Sequence, residues 1–91
     1  MNTQEKIDTL FKNFSTMLKE KNIKYGDSAL NPNKIFSKVG ASNSILIRLD
    51  DKLNRIMNSD EIRKNDCSDV MGYIALYMIS KDWLDFTDQI D

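Results

Sequence analysis

Residues 70–79 read Val-Met-Gly-Tyr-Ile-Ala-Leu-Tyr-Met-Ile, and this stretch decides the fold of the 91-residue chain. Almost every position is apolar, which is typical of a buried helix in the middle of a small domain. Ten residues are too few to cross a bilayer, which takes about 20. Gly72 has no side chain and would let a neighbouring helix come close. The stretch therefore predicts a central buried helix near residues 62–80.

Two further segments carry apolar residues at helical spacing. The first is predicted to span about residues 3–20, starting at a capping box formed by Asn2 and Glu5 and ending near Asn22. The second is predicted over residues 44–57, after a cap at Ser42 or Ser44. The apolar positions are Ile7, Leu10, Phe11, Phe14, Met17 and Leu18 in the first, and Ile45, Leu46, Leu49, Leu53, Ile56 and Met57 in the second. Without sustained alternation of period two, the chain is predicted to be a small all-α domain of three main helices.

The connection between the first two helices, about residues 24–43, lacks periodicity. Tyr25-Gly26-Asp27-Ser28 has turn chemistry and Asn31-Pro32-Asn33 breaks a helix. Ile35, Phe36 and Val39 provide apolar anchors, so we expect a long ordered loop. The tail, residues 81–91, carries Trp83, Leu84 and Phe86, which either cap the core or contact another subunit. We expect one domain over residues 1–91, with no second core.

The charge and the scarce residue types exclude several classes of protein. Thirteen Lys and Arg against fourteen Asp and Glu give a net charge of -1, which argues against a protein that coats duplex nucleic acid. One Cys and no His exclude an internal disulfide, a Cys-His or Ser-His-Asp site and a structural zinc site. Met1 leads directly into polar residues without an apolar leader, so we expect a cytoplasmic protein with no membrane partner.

Four polar residues of the second helix, Arg48, Asp51, Lys52 and Arg55, fall in one sector beside the apolar positions. They can face a common groove, where three cations would suit phosphate. They can equally form a solvated helix face, with weak ion pairs from Arg48 and Arg55 to Asp51.

On the third helix, Asp66, Asp69 and Tyr73 share a face. In one interpretation Asp66 is the N-cap and Asp69 lies in the first turn, where the helix dipole favours carboxylates. In the other, Asp66 and Asp69 face Asp51 across the helix pair and hold Mg²⁺, which prefers carboxylate oxygens. The Gly26-Asp27-Ser28 turn is ordinary by itself and matters only in combination with these residues.

Taken together, four segments resemble a known family. They are Lys24-Tyr25-Gly26-Asp27-Ser28, Lys34-Ile35-Phe36-Ser37-Lys38, Arg48-Leu49-Asp50-Asp51-Lys52-Leu53-Asn54-Arg55 and Asp66-Cys67-Ser68-Asp69-Val70-Met71-Gly72-Tyr73. In order and spacing they are similar to the phage and bacterial family called nucleotide modification associated domain type 1. That family looks like an offshoot of the all-α MazG and dUTPase-like pyrophosphohydrolases, and the likeness covers about residues 10–80.

The resemblance implies a MazG-like half-bundle that completes itself by oligomerisation. The wider superfamily holds Mg²⁺ with Glu-x-x-Glu on one helix and Glu-x-x-Asp on the next. Here the matching positions are Arg48-x-x-Asp51 and Asp66-x-x-Asp69. An arginine in place of a carboxylate weakens cation binding but suits a phosphate oxygen, because its guanidinium offers a planar fork. We assign no chemistry to Cys67.

Three hypotheses follow. The first is a phage-type nucleotide-binding protein that sequesters a cyclic or related signalling nucleotide used in antiviral defence, without cleaving it and with no required cofactor. The second is a Mg²⁺-dependent nucleotide phosphohydrolase, or a partner in nucleotide modification, with Asp51, Asp66 and Asp69 as metal ligands. The third is a structural helical adaptor. The expected nucleotide contacts are Tyr25, Asp27, Ser28, Lys38, Arg48, Lys52, Arg55 and Tyr73. The expected partners are a nucleotide and further copies of the chain, joined through the C-terminal aromatic segment.

Overall fold

The computed structural model describes residues 1–31 and 40–90. They form three α-helices, α1 (Thr3–Lys24), α2 (Ala41–Met57) and α3 (Lys64–Ser80), followed by a short 3-10 helix at Thr87–Gln89. No strand occurs in these two ranges. The all-α prediction is confirmed. Ile35, Phe36, Lys38 and Val39 of the expected loop lie outside the described residues.

Helix α1 begins at the predicted capping box. The Glu5 backbone N–H donates to Asn2 Oδ1 at 2.9 Å, and the Asn2 backbone N–H donates to Glu5 Oε1 at 3.3 Å. The helix runs to Lys24, two residues beyond the predicted end near Asn22. Gly26 and Asp27 have φ of 61° and 58°, the left-handed conformation that stops a helix.

Helices α2 and α3 form an antiparallel hairpin. Near its open end the Ser42 and Ser80 hydroxyl oxygens are 2.8 Å apart, and because Ser80 donates to the Tyr77 carbonyl, Ser42 is the donor between them. The predicted serine cap of α2 is wrong, since the N-cap is Gly40, without a side-chain hydrogen bond.

The start of α3 also differs from the prediction. The N-cap is Arg63, not Asp66. Asp66 lies three residues further on, and its carboxylate accepts a hydrogen bond from the Arg63 backbone N–H at 3.0 Å. The carboxylate therefore still satisfies one of the free N–H groups at the start of a helix, from inside the first turn rather than from the cap position.

Burial is lower than the sequence indicated. In the described ranges Ile45, 1% exposed, is the sole large hydrophobic side chain that is fully buried. The expectation of a buried 70–79 segment is wrong for a single chain: Ile74 and Ile79 are exposed and most other residues of α3 are half-buried. Gly72 is buried and Leu18 of α1 lies against it, as predicted, but a Cβ there would lie 3.7 Å from Leu18 Cδ1, an ordinary contact distance, so this approach of α1 does not require a glycine.

The C-terminal tail turns back on the end of α3. The Trp83 backbone N–H donates to the Met78 carbonyl at 2.9 Å, and the Trp83 ring meets the Tyr77 ring edge to face, with centroids 6.0 Å apart. Trp83, Leu84 and Phe86 nevertheless remain exposed. None of the described helices combines the length and the apolar character needed to traverse a bilayer.

Candidate functional site

A cavity of about 420 Å³ opens where the C-terminal part of α1 and the turn after it meet α2 and α3. Its floor is apolar, from Leu18, Gly72 and Leu76. It exists because α1 approaches α3 closely at Leu18 and Gly72 but packs little elsewhere against the α2–α3 hairpin. The complete lining is Met17, Leu18, Lys21, Asn22, Tyr25, Ser28, Ala29, Arg48, Ser68, Asp69, Gly72, Tyr73 and Leu76.

Two cations from different helices line this cavity, Lys21 from α1 and Arg48 from α2. The Lys21 ammonium lies 3.8 Å from Asp69 Oδ1, and about half of its side chain is exposed. Arg48 forms no ion pair with a described residue, so the ion pair with Asp51 considered from the sequence is not formed. The cavity therefore combines a partly neutralised ammonium with a guanidinium whose charge is available.

Two tyrosines complete the lining. Tyr25 follows the last residue of α1 and is exposed, with the Lys24 ammonium 5.8 Å from the centre of its ring. Tyr73 comes from the middle of α3 and is half-buried. Ser28 reaches the same cavity because Gly26 and Asp27 reverse the chain after α1. Aromatic rings, hydroxyls and two cations on one apolar floor form a lining suited to a ligand that is aromatic at one end and anionic at the other.

Beside the cavity, Lys52 of α2 is buried, 8% exposed, between two carboxylates of α3. Its ammonium donates to Asp66 Oδ1 at 2.8 Å and to Asp69 Oδ2 at 3.1 Å. The hydrogen bond with Asp66, reinforced by the one with Asp69, raises the pKa of Lys52. The same bond from Lys52, followed by that from the Arg63 N–H, lowers the pKa of Asp66. The three side chains form a charged cluster in which the ionised forms of Lys52 and Asp66 stabilise each other.

This cluster bears on the expected metal site. A Mg²⁺ ion held by Asp51, Asp66 and Asp69 would need the carboxylate oxygens that the Lys52 ammonium already contacts. Asp51 is exposed and forms no ion pair with Lys52 or another described cation. In residues 1–31 and 40–90 no three acidic or thiol side chains converge as metal ligands. The carboxylates as arranged do not fit a Mg²⁺ site, and we derive no step through a metal.

The structure thus brings together part of the predicted nucleotide site. Tyr25, Ser28, Arg48 and Tyr73 line one cavity. Lys52 lies beside it, held by carboxylates rather than facing the opening. Arg55 and Asp27 do not line the cavity, and the Asp27 carboxylate instead accepts a hydrogen bond from the Asn31 amide. Lys38 lies outside the described residues.

Three polar lining residues were missing from the sequence prediction: Lys21, Asn22 and Ser68. Lys21 follows Leu18 by three residues and Phe14 by seven, so it lies on the apolar side of α1, where a cation is unusual. That position is the signal that could have identified it.

No protein-family model, curated protein or solved structure matches this chain. The likeness to the nucleotide modification family therefore rests on the four segments quoted above.

Proposed function

We propose that this protein binds a phosphorylated nucleotide in the cavity between α1, α2 and α3 and sequesters it without cleaving it. The observation that carries the proposal is the joint lining by Lys21, Arg48, Tyr25 and Tyr73. In a phage-infected bacterium, such binding would remove a cyclic or related signalling nucleotide from the cytoplasm before its receptor could respond.

The size and chemistry of the cavity support a nucleotide. Its volume of about 420 Å³ lies within the usual range for small-molecule sites, roughly 300–1,000 Å³. Arg48 can offer a bidentate fork to a phosphate, and Lys21 can act as a second point charge. A tyrosine ring can stack on a base, with an affinity gain of about 1–3 kcal/mol per stacked base.

The charged cluster supports binding without turnover. Metal-assisted hydrolysis needs carboxylates that are available to a cation, and Asp66 and Asp69 are engaged by Lys52. The chain has no His to act as a general base. One observation favours the alternative of a Mg²⁺-dependent phosphohydrolase: Asp69 lines the cavity, close to where a phosphate would sit.

We further propose that the protein acts as a homo-oligomer. The cavity is open on one side, so a second subunit would enclose a ligand better than one chain can. The exposed Trp83, Leu84 and Phe86 are candidate contacts. With a net charge of -1, we expect no affinity for duplex nucleic acid.

The test compares two arginines of the same helix. Arg48 lines the cavity, and Arg55, seven residues further along α2, does not, although both are exposed. A charge-assisted hydrogen bond contributes about 1.5–3 kcal/mol, so Arg48→Met should weaken binding by roughly 10- to 150-fold. Arg55→Met removes the same charge at a position outside the cavity and should change nucleotide affinity by less than about threefold.

Titration calorimetry with a panel of linear and cyclic nucleotides, with and without Mg²⁺, measures both variants. Product analysis of the same samples detects cleavage. Mg²⁺-dependent release of phosphate or pyrophosphate by the parent would favour the hydrolase. Equal effects of the two variants, or no binding of any nucleotide by the parent, would refute the proposed site.

A further inference from the structure

The charges around the cavity between α1, α2 and α3 leave a small positive excess. Lys21 and Arg48 each bring one positive charge to the lining, and Asp69 brings one negative charge. Beside the cavity, the Lys52 ammonium and Asp66 Oδ1 lie 2.8 Å apart, so their charges offset each other. Among the described residues, the cavity and its neighbouring cluster therefore carry a net charge of about one positive unit.

Asp69 connects the charged cluster with the cavity. Its Oδ2 accepts a hydrogen bond from the Lys52 ammonium at 3.1 Å, whereas its Oδ1 lies 3.8 Å from the Lys21 ammonium. The longer distance exceeds that of a direct hydrogen bond, so the Lys21 donors are available to a ligand. The Asp69 side chain is 31% exposed, and its charge therefore acts on whatever anion Lys21 binds.

An oxygen of a bound phosphate would lie close to Asp69. A charge-assisted hydrogen bond from Lys21 is about 2.8 Å long, so the accepting oxygen lies at most about 6.6 Å from Asp69 Oδ1. Two like charges at that distance repel by an amount that corresponds to a factor of about 3 to 70 in affinity. The lower value applies in water and the higher one near a protein surface. The repulsion grows with each further negative charge that a ligand brings into the cavity.

We infer that the cavity prefers a phosphodiester to a terminal phosphate, and that Asp69 is the residue that sets this preference. The inference rests on the proposed function, since it names the kind of phosphate that the same site takes. A phosphodiester carries one negative charge, whereas a terminal phosphate carries about two at neutral pH. One charge matches the positive excess of the site. A second charge meets Asp69 without a further cation in the described lining.

The geometry of Arg48 fits the same chemical group. A phosphodiester has two non-bridging oxygens, and the planar guanidinium fork of Arg48 can donate to both. This fork is available, because Arg48 forms no ion pair within residues 1–31 and 40–90. The two ester oxygens carry the rest of the nucleotide, whose base can contact the apolar floor and Tyr73. A cyclic mononucleotide contains this group, and so does each linkage of a larger cyclic nucleotide.

The test compares ligands that share one base and differ in their phosphate. Titration calorimetry without Mg²⁺, so that no ion offsets the ligand charge, measures the dissociation constants of cyclic AMP, AMP, ADP and ATP. The series is repeated with guanine, cytosine and uracil as the base. The parent should bind a cyclic nucleotide at least about threefold more tightly than the matching monophosphate, and the triphosphate no more tightly than the monophosphate. Cyclic di-AMP is added to separate the two sources: tighter binding than cyclic AMP supports one linkage of a larger ring, and weaker binding supports a cyclic mononucleotide.

Asp69→Asn tests the role of the carboxylate, because it removes the charge and keeps the shape of the side chain. It should raise the affinity for AMP by at least about threefold relative to that for cyclic AMP. Asp8→Asn is the matched control, since it removes the same charge from an exposed position of α1. Asp8 lies about 20 Å from Lys21 along the helix, well beyond the screening length of about 8 Å, and the ratio of the two affinities should not change.

The outcomes separate this inference from the proposed function. A parent that binds AMP or ATP as tightly as the cyclic nucleotides would overturn the inference and leave nucleotide binding intact. So would an Asp69→Asn variant whose affinity ratio shifts no more than that of Asp8→Asn. A parent that binds no ligand of the series would refute the proposed function, and the inference with it. The comparison within the parent needs no variant, so it decides the matter even if Asp69→Asn folds poorly.

Discussion

Replacing Gly72 by alanine is expected to stabilise this protein, although Gly72 is a buried residue at a helix contact. A Cβ at position 72 would lie 3.7 Å from Leu18 Cδ1, which is ordinary van der Waals distance. Helix α1 therefore does not need to move to accept one methyl group. The backbone conformation at Gly72 is helical and suits alanine.

The size of the effect follows from two contributions. Glycine in a helix interior costs about 0.8–1.0 kcal/mol relative to alanine. A fully buried methyl group adds up to about 0.8 kcal/mol, of which part is lost here because Gly72 also lines the open cavity. The free energy of unfolding should rise by about 1–1.5 kcal/mol, which corresponds to an increase in Tm of roughly 4–12 °C for a domain of this size.

Thermal unfolding followed by circular dichroism, at one fixed protein concentration, measures the change. Ala75→Gly, a half-buried position of the same helix, serves as the reverse control and should lower Tm by at least a similar amount. A lower Tm for Gly72→Ala would mean that α1 packs closer to α3 than the distance of Leu18 indicates, and the reasoning about this contact would be wrong.

Three further changes test the cluster, the core and the cavity. Lys52→Met should destabilise the protein most between about pH 5 and 10, where Lys52 and Asp66 are both ionised. The folded protein lowers the pKa of Asp66 and raises that of Lys52, so the ion pair stabilises the fold in this range. This contribution is lost as Asp66 gains a proton below about pH 4 and as Lys52 loses one above about pH 10. Urea unfolding at several pH values checks this, and a difference from the parent that stays constant from pH 7 down to pH 2 would contradict it. Ile45→Ala should lower the free energy of unfolding by about 2–5 kcal/mol and Ile45→Val by about 0.5–1.5 kcal/mol, and similar losses would show that Ile45 is not tightly packed. Lys21→Met should reduce the salt dependence of nucleotide affinity measured by calorimetry, whereas an unchanged salt dependence would place the phosphate away from α1.

Local patterns predicted the helices well, because helical periodicity and capping depend on neighbours in sequence. The Asn2 and Glu5 capping box was predicted from residue types alone and is formed. The starts of α2 and α3 were less accurate, since serine and aspartate near a helix start fit several cap positions. The extent of burial in α3 could not be predicted, because apolar residues on all sides indicate contact without saying whether the same chain provides it.

The site was predicted less completely than the fold, for a physical reason. Helical angles place Arg48 and Lys52 on one side of α2 but do not say which element faces them. Lys52 follows Ile45 by seven residues and therefore lies among the buried positions of the helix. A lysine there requires anions from a neighbouring helix, and Asp66 and Asp69 supply them. Similarly, Lys21 lies at the cavity because α1 contacts α3. That contact joins residues about 50 apart in sequence, which helical periodicity does not reveal.

The contacts of Lys52 also determine the alignment of the α2–α3 hairpin along its axis. Two helices with mainly apolar contacts can slide past each other by one turn, about 5.4 Å, at little cost in packing. A slide in one direction would bring Lys52 level with Tyr73 and remove its contact with Asp66. Ser42 at the far end would lose Ser80 in the same movement. The polar contacts near the two ends of the hairpin thus fix the alignment of α2 against α3, because only one alignment keeps both the contact of Ser42 with Ser80 and the contact of Lys52 with Asp66.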